Sequence, residues 1–164
     1  MNAQPETSAT AAPAKYRQDS PVGLVLHVAD ITAASRFYQS IGFQQTAAYP
    51  GADGQLTVAF LAQGSSTLLL GRRDQLHYEN AERAHQVRRG PPGLGVVITL
   101  QVPDLERIYQ TVRAAGVPIQ MEPADEFYGD RVFMFLDPDG YEWKVSQTIA
   151  TVPERDVAAI IAAH

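Results

Sequence analysis

A chain of 164 residues with 45% apolar and 19% charged side chains has ordinary globular composition and enough length for one domain with a real core. A formal net charge of −5 without any basic run argues against a nucleic-acid partner, and the absence of cysteine excludes disulfides and thiolate chemistry. No stretch approaches the roughly 20 apolar residues of a membrane span, so no membrane partner is expected and a cytoplasmic location is the default.

Residues 1–20 are rich in Ala, Thr, Ser and Pro and lack the basic start and apolar run of a signal peptide. They are expected to form a disordered arm. "GLVLHVAD" (23–30) then reads as a strand. "ITAASRFYQSIGF" places Ala34, Phe37, Tyr38 and Ile41 at helical spacing, with Gly42 as the stop. "QLTVAFLAQGSSTLLLGR" gives two strands around the turn Gln63-Gly64-Ser65-Ser66. A polar linker follows, in which Arg72-Arg73, Arg88-Arg89, His77 and His85 read as solvated polarity. "GPPGLG" (90–95) is a Pro-rich turn rather than a dinucleotide fingerprint. "GVVITLQVPD" is the next strand, and "LERIYQTVRAAGV" the next helix, with Leu105, Ile108, Tyr109 and Val112 apolar and Gly116 at its stop. "RVFMFLDPDGYEWKV" (131–145) is a hairpin. Its Asp137-Pro138-Asp139-Gly140 is turn chemistry, with no catalytic role assigned. In "TVPERDVAAIIAAH", Thr151 and Glu154 suggest a capping box and Pro153 a helix start, for a short helix packing Val157 and Ile161.

The two halves match at a constant difference of 74 residues. Val28 falls on Val102, Asp30 on Asp104, Gly42 on Gly116, Leu61 on Phe135, Ser66 on Gly140 and Leu69 on Trp143, with no gap. The pattern predicts two duplicated βαβββ modules over 21–75 and 93–148, a linker at 76–92 and a helical tail at 149–164.

"HVADITAASRFYQSIGF" and "YGDRVFMFLDPDGYEWKV" resemble the vicinal oxygen chelate superfamily, which includes glyoxalase, extradiol dioxygenases and bleomycin-resistance proteins. The "FYGDR…DPDGYEW" form followed by "VPERDV" is most similar to its PhnB-like branch. The resemblance implies an α+β fold. Two tandem βαβββ modules would form a curled mixed sheet with helices on its convex side and the ligand site on its concave face. It also implies a homodimer, because such cups commonly lie near a subunit interface. Metal-dependent members place one ligand on the first and last strand of each module. By the resemblance and the offset of 74, those places hold Gly23, Val97, Lys144 and Leu70. None offers the imidazole or carboxylate that a divalent metal needs. No metal and no cofactor are therefore expected.

Strand alternation assigns the concave face. Gly23, Val25, His27, Val97, Thr99, Gln101, Glu142, Lys144, Val132, Met134 and Leu136 point inward, with Phe60 as the repeat partner of Met134. The opposite phase sets Leu24, Leu26, Val28, Val96, Ile98, Leu100, Tyr141, Trp143 and Val145 against the helices. The ligand-binding candidates are thus His27, Phe60, Thr99, Gln101, Met134, Glu142 and Lys144. His27 is either a pocket-lining polar group or a hydrogen-bonded, half-buried histidine. Tyr128 and Arg131 either orient a ligand or supply strand-edge polarity. No nucleophile elbow, phosphate loop or helical His pair competes. A mostly apolar cup with a few polar groups fits a metal-free small-molecule-binding protein. A lyase or dioxygenase with a displaced metal near His27 and Glu142 is the alternative, and a non-binding dimeric scaffold is a third.

Overall fold

The computed structural model describes residues 23–75 and 77–163, so the expected arm at 1–20 lies outside the described residues. The first module comprises β1 (Leu24–Val28), α1 (Ile31–Ser40), β2 (Gln44–Pro50), β3 (Leu56–Gln63) and β4 (Ser66–Arg72). A linker carrying α2 (Ala81–Arg89) leads to the second module. This comprises β5 (Val97–Gln101), α3 (Leu105–Ala114), β6 (Ile119–Asp125), β7 (Asp130–Leu136) and β8 (Glu142–Thr148), and α4 (Glu154–Ala162) follows. Each module makes its own four-stranded mixed sheet, in the orders β1-β4-β3-β2 and β5-β8-β7-β6. The first strand of each module runs parallel to the last, and the other neighbours are antiparallel. This is the α+β arrangement of tandem βαβββ modules that the repeat predicts.

Equivalent residues open and close the two module helices. The Asp30 carboxylate accepts the Ala33 amide at 3.0 Å, and Asp104 accepts the Arg107 amide at 3.0 Å. Gly42 and Gly116, just past the helix ends, hold φ of 112° and 71°, which a side chain would resist. Ile31, Ala34, Phe37 and Tyr38 of α1 and Leu105, Ile108, Tyr109 and Val112 of α3 are buried against the sheets.

The offset of 74 holds from the helices through β3 and β7, including a bulge. Gln45 pairs with Leu61 as Ile119 pairs with Phe135, and Ala47 with Phe60 as Met121 with Met134. It fails in the last strand. Lys144 pairs with Thr99 and Met134, while the residue paired with Val25 and Phe60 is Leu69. The offset has become 75, because the second hairpin turns through one more residue than the first. Trp143 therefore matches Leu68, not Leu69, and the counterpart of Lys144 is Leu69, not Leu70. Leu70 is fully buried on the helix side, partnered by Leu26.

One core cluster runs through both modules. The Phe37 ring of α1 meets Phe135 of β7 edge-on at 6.0 Å, and Tyr38 lies 5.5 Å from Trp143 of β8. The Asp-Pro-Asp-Gly loop also joins the modules. Asp137, only 3% exposed, accepts from the Tyr38 hydroxyl, from the Trp143 indole at 3.2 Å and from the amides of Asp139 and Tyr141 at 2.9 Å each. Asp139 accepts the Ala29 amide at 2.7 Å and the Arg73 guanidinium at 2.8 Å. The Tyr141 hydroxyl takes the His27 amide at 2.9 Å and gives its proton to the His27 carbonyl at 3.2 Å. Because β1 is an edge strand of its sheet, its outer backbone groups need partners. The hairpin of the other module supplies them. It is both a turn and the dock between modules.

Four local expectations need correction. Arg72 and Arg73 are not solvated linker charge: Arg72 closes β4 with its side chain 14% exposed, and Arg73 pairs with Asp139 of the other module. In the linker itself Asn80 caps α2 by accepting the Arg83 amide at 2.9 Å, and Ala84 is buried. Pro153, not Thr151, stands at the N-cap of α4, with no side-chain cap bond. Ile161 is 62% exposed, so it does not pack, although Val157 is half-buried. Val96 precedes β5 and is 51% exposed rather than set against a helix.

Candidate functional site

The strand registers define which side chains share a face. In the second sheet Thr99, Lys144, Met134 and Met121 form one row, flanked by Val97, Glu142 and Leu136 on one side and Gln101, Ser146 and Val132 on the other. In the first sheet the matching row is Val25, Leu69, Phe60 and Ala47, followed by His27, Gly71, Val58 and Tyr49. These faces oppose the helices. Val25 is 50% exposed and Val97 45%, whereas Leu26, Val28 and Val145 on the helix side are sealed. The first module thus presents an almost wholly apolar concave face, with Tyr49 edge-on to Phe60 at 6.3 Å, and the second a polar one.

Lys144 is the cation of that polar face. Its ammonium donates to the Tyr128 hydroxyl at 2.7 Å and lies 5.2 Å from the centre of the Tyr128 ring. Tyr128 sits on the loop entering β7, and Gly129 beside it holds φ of 96° with its carbonyl accepting the amides of Ile149 and Ala150. A Cβ at Gly129 would lie 2.3 Å from the Ala150 carbonyl oxygen, so only glycine lets the loop close here and carry Tyr128 back over the sheet. Deeper on the same face, Ser146 donates to Asp130 at 2.5 Å. The Ser146 hydroxyl first, then Thr148 and the charge of Lys144, hold the Asp130 carboxyl below the usual range. Gln101 donates to Thr148 at 3.1 Å. Of the two residues near the hairpin mouth, Tyr128 belongs to the face, while Arg131 makes an exposed pair with Asp125 at 3.6 Å along the strand edge.

Thr99 and His27 line different cavities among the described residues. Thr99 shares a cavity of about 190 Å³ with Gly23, Thr67 and Trp143 where the two sheets approach. His27 lines a different cavity of about 410 Å³, together with Tyr78, Arg83 and Gln86 of the linker and Tyr141 of the hairpin. Burial, and then the nearby Arg73 guanidinium, push the His27 pKa down from its ordinary value. The ring is therefore held neutral. His77 and His85 are exposed. Sequence reasoning did not single out Tyr78 and Arg83, because the linker's charges carry no motif and only the unexpected helix α2 sets their direction.

The residues present do not fit a divalent metal. With the register corrected, the four positions are Gly23, Leu69, Val97 and Lys144, which provide no anionic or imidazole donor. Among the described residues no group of three or more His, Asp and Glu stands close enough to hold an ion. Glu142 does not line the cavity that holds His27.

No curated protein matches the chain. Among solved structures it is similar to TioX from Micromonospora sp. ML1, at a TM-score of 0.60 and 19% identity, covering 78% of this chain and 99% of that one. It is also similar to a glyoxalase/bleomycin resistance protein/dioxygenase from Nocardioides, at 0.59 and 19%, covering 82% and 87%. A third is a family enzyme from Burkholderia phytofirmans PsJN, at 0.56 and 20%, covering 77% and 96%. At such identities these likenesses establish the fold alone. No described helix is long and apolar enough to cross a membrane. The family model of the Glyoxalase/Bleomycin resistance protein/Dioxygenase superfamily matches residues 22–145, which take in both sheets and the docking hairpin, and the chain belongs to that superfamily.

Proposed function

We propose that this protein is a metal-free binder of a small organic molecule, held on the concave face as a homodimer. The observation that carries the reading is the replacement of all four metal-ligand positions by Gly23, Leu69, Val97 and Lys144, with a cation standing where an acid would serve a metal. Phe60 and Met134 offer an apolar seat, and Thr99, Gln101 and Glu142 offer hydrogen bonds. Lys144, oriented by Tyr128 and facing no carboxylate in an ion pair among the described residues, receives an anionic or carbonyl group of the ligand. Val25 and Val97 leave apolar area open to water in one chain, and a second copy covers it in the usual isologous manner. The test is a thermal-shift screen of small organic acids and ketones. A ligand that binds the native state raises the melting temperature by mass action. The reading expects hits whose shift is lost in Lys144→Met. A screen in which no hit loses its shift in Lys144→Met counts against it.

A further inference from the structure

We propose that the cavity between α2 and the end of β1 is a second binding site, specific for a small carboxylate with a flat apolar body. Its volume of about 410 Å³ falls within the roughly 300–1,000 Å³ of small-molecule sites. The walls are apolar: Val87, Pro91, Pro92, Leu94 and Val96 line it. The polar lining is one-sided. Arg83, His27, Tyr78 and Gln86 line the cavity, and among the described lining residues there is no carboxylate.

Local structure explains why these groups converge. Residues 83, 86, 87 and 90 recur at the i, i+3, i+4 and i+7 spacing of one helical side. The helix is fixed by the Asn80 cap and by Ala84, which is 5% exposed. His27 projects from β1 on the concave phase beside Gly71, whose missing side chain leaves room next to the imidazole edge. The rings of His27 and Tyr78 stand 6.5 Å apart and are tilted by 54°, which is not a closed stack. The Tyr141 hydroxyl is committed to the His27 backbone and Arg73 to Asp139, so neither competes for the ligand. Arg83 is thus the cation that meets the anion, and its fork matches a carboxylate bidentately. The neutral imidazole and the phenol add hydrogen bonds, and the proline and valine walls take an aromatic face. A phosphate dianion would ask for more than the one cation that lines the cavity.

The experiment is amide NMR on the full chain, titrated with benzoate, benzamide and inorganic phosphate. Benzoate is expected to shift Tyr78 and Arg83 saturably, with a Kd on the order of 1 mM for so small a probe. Benzamide, phosphate and the Arg83→Gln protein should each bind at least about 10-fold more weakly, the expected loss when a charge-assisted pair is removed. Arg83 is exposed on α2, so melting of Arg83→Gln is expected to match the parent. The shifts of Tyr78 and Arg83 should follow one saturation curve that is independent of any shift at Thr99 or Met134 on the concave face. Equal binding of benzamide or phosphate, unchanged binding to Arg83→Gln, or no saturable shift at all would overturn the proposal. So would shifts centred on Thr99 and lost in Lys144→Met. That last result would move the carboxylate to the concave face and leave the reading of that face standing.

Discussion

The hydroxyl of Tyr141 bonds both backbone groups of His27, accepting at 2.9 Å and donating at 3.2 Å across 114 positions of sequence. This phenol, together with Asp139 at the Ala29 amide, closes the outer edge of β1 and ties the second module to the first. Tyr141→Phe keeps the ring in the core and deletes only the bonds to His27. It should lower the unfolding free energy in urea by about 1–2 kcal/mol and speed exchange of the His27 amide proton. Unchanged exchange at His27 would mean that the edge is sealed by something else.

Asp137 carries a heavier load. It is buried and serves four donors, two of them the Tyr38 hydroxyl and the Trp143 indole in the core. Removing the carboxylate strands buried donors, each costing about 1–3 kcal/mol. Asp137→Ala should therefore cost about 3 kcal/mol or more and shift the denaturation midpoint far more than Asp53→Ala, whose pair with Arg72 is exposed. A loss as small as that of the surface variant contradicts the docking role.

The depressed pKa of His27 sets a direction for pH dependence. The unfolded chain protonates this imidazole near the ordinary 6.5, before the folded chain does. Stability is thus held above that pH and declines as pH falls toward the lower folded-state value. Burial raises the Asp139 pKa despite its pairing with Arg73, which works in the opposite sense at lower pH. The difference between parent and His27→Asn isolates the histidine, since Asp139 is common to both. Melting temperatures between pH 5 and pH 7.5 should fall more steeply for the parent than for the variant. Parallel curves would contradict a neutral, half-buried ring.

Lys144→Met should leave stability within about 1.5 kcal/mol, because a partly exposed hydrogen bond such as that from the Lys144 ammonium to the Tyr128 hydroxyl is worth about 0.5–1.5 kcal/mol. It should nevertheless weaken concave-face ligands by 10-fold or more, the order expected when a charge-assisted bond is lost. Calorimetric titration of a hit from the thermal screen, against both proteins, reads the two effects separately.

The periodic elements were legible because their physics is local. Asp caps and Gly stops mark α1 and α3, and alternation marks β1, β3, β4, β7 and β8. Strands β2 and β6 escaped individual notice, since "QQTAAYP" and "IQMEPAD" lack the alternating large apolar residues of a half-buried strand. Each is the outer strand of its sheet, with the helix contributing little cover and a bulge breaking its period. The one-residue slip in the second hairpin was invisible for another reason. Leu68, Leu69 and Leu70 are chemically identical, so nothing in that run says which leucine faces the helix. The Lys144–Tyr128 contact and the His27 cavity depend on how a loop and a linker helix fold back over a sheet. Such placement is tertiary, and no spacing rule encodes it.

Elemental analysis of the purified protein, with melting recorded before and after EDTA, bears most directly on metal-free binding. With Gly23, Leu69, Val97 and Lys144 at the ligand positions, zinc, nickel, manganese and iron should each stay far below one per chain, and EDTA should leave the melting temperature unmoved. About one tightly held ion per chain, removed by EDTA with loss of stability, would contradict the account and return the concave face to metal chemistry.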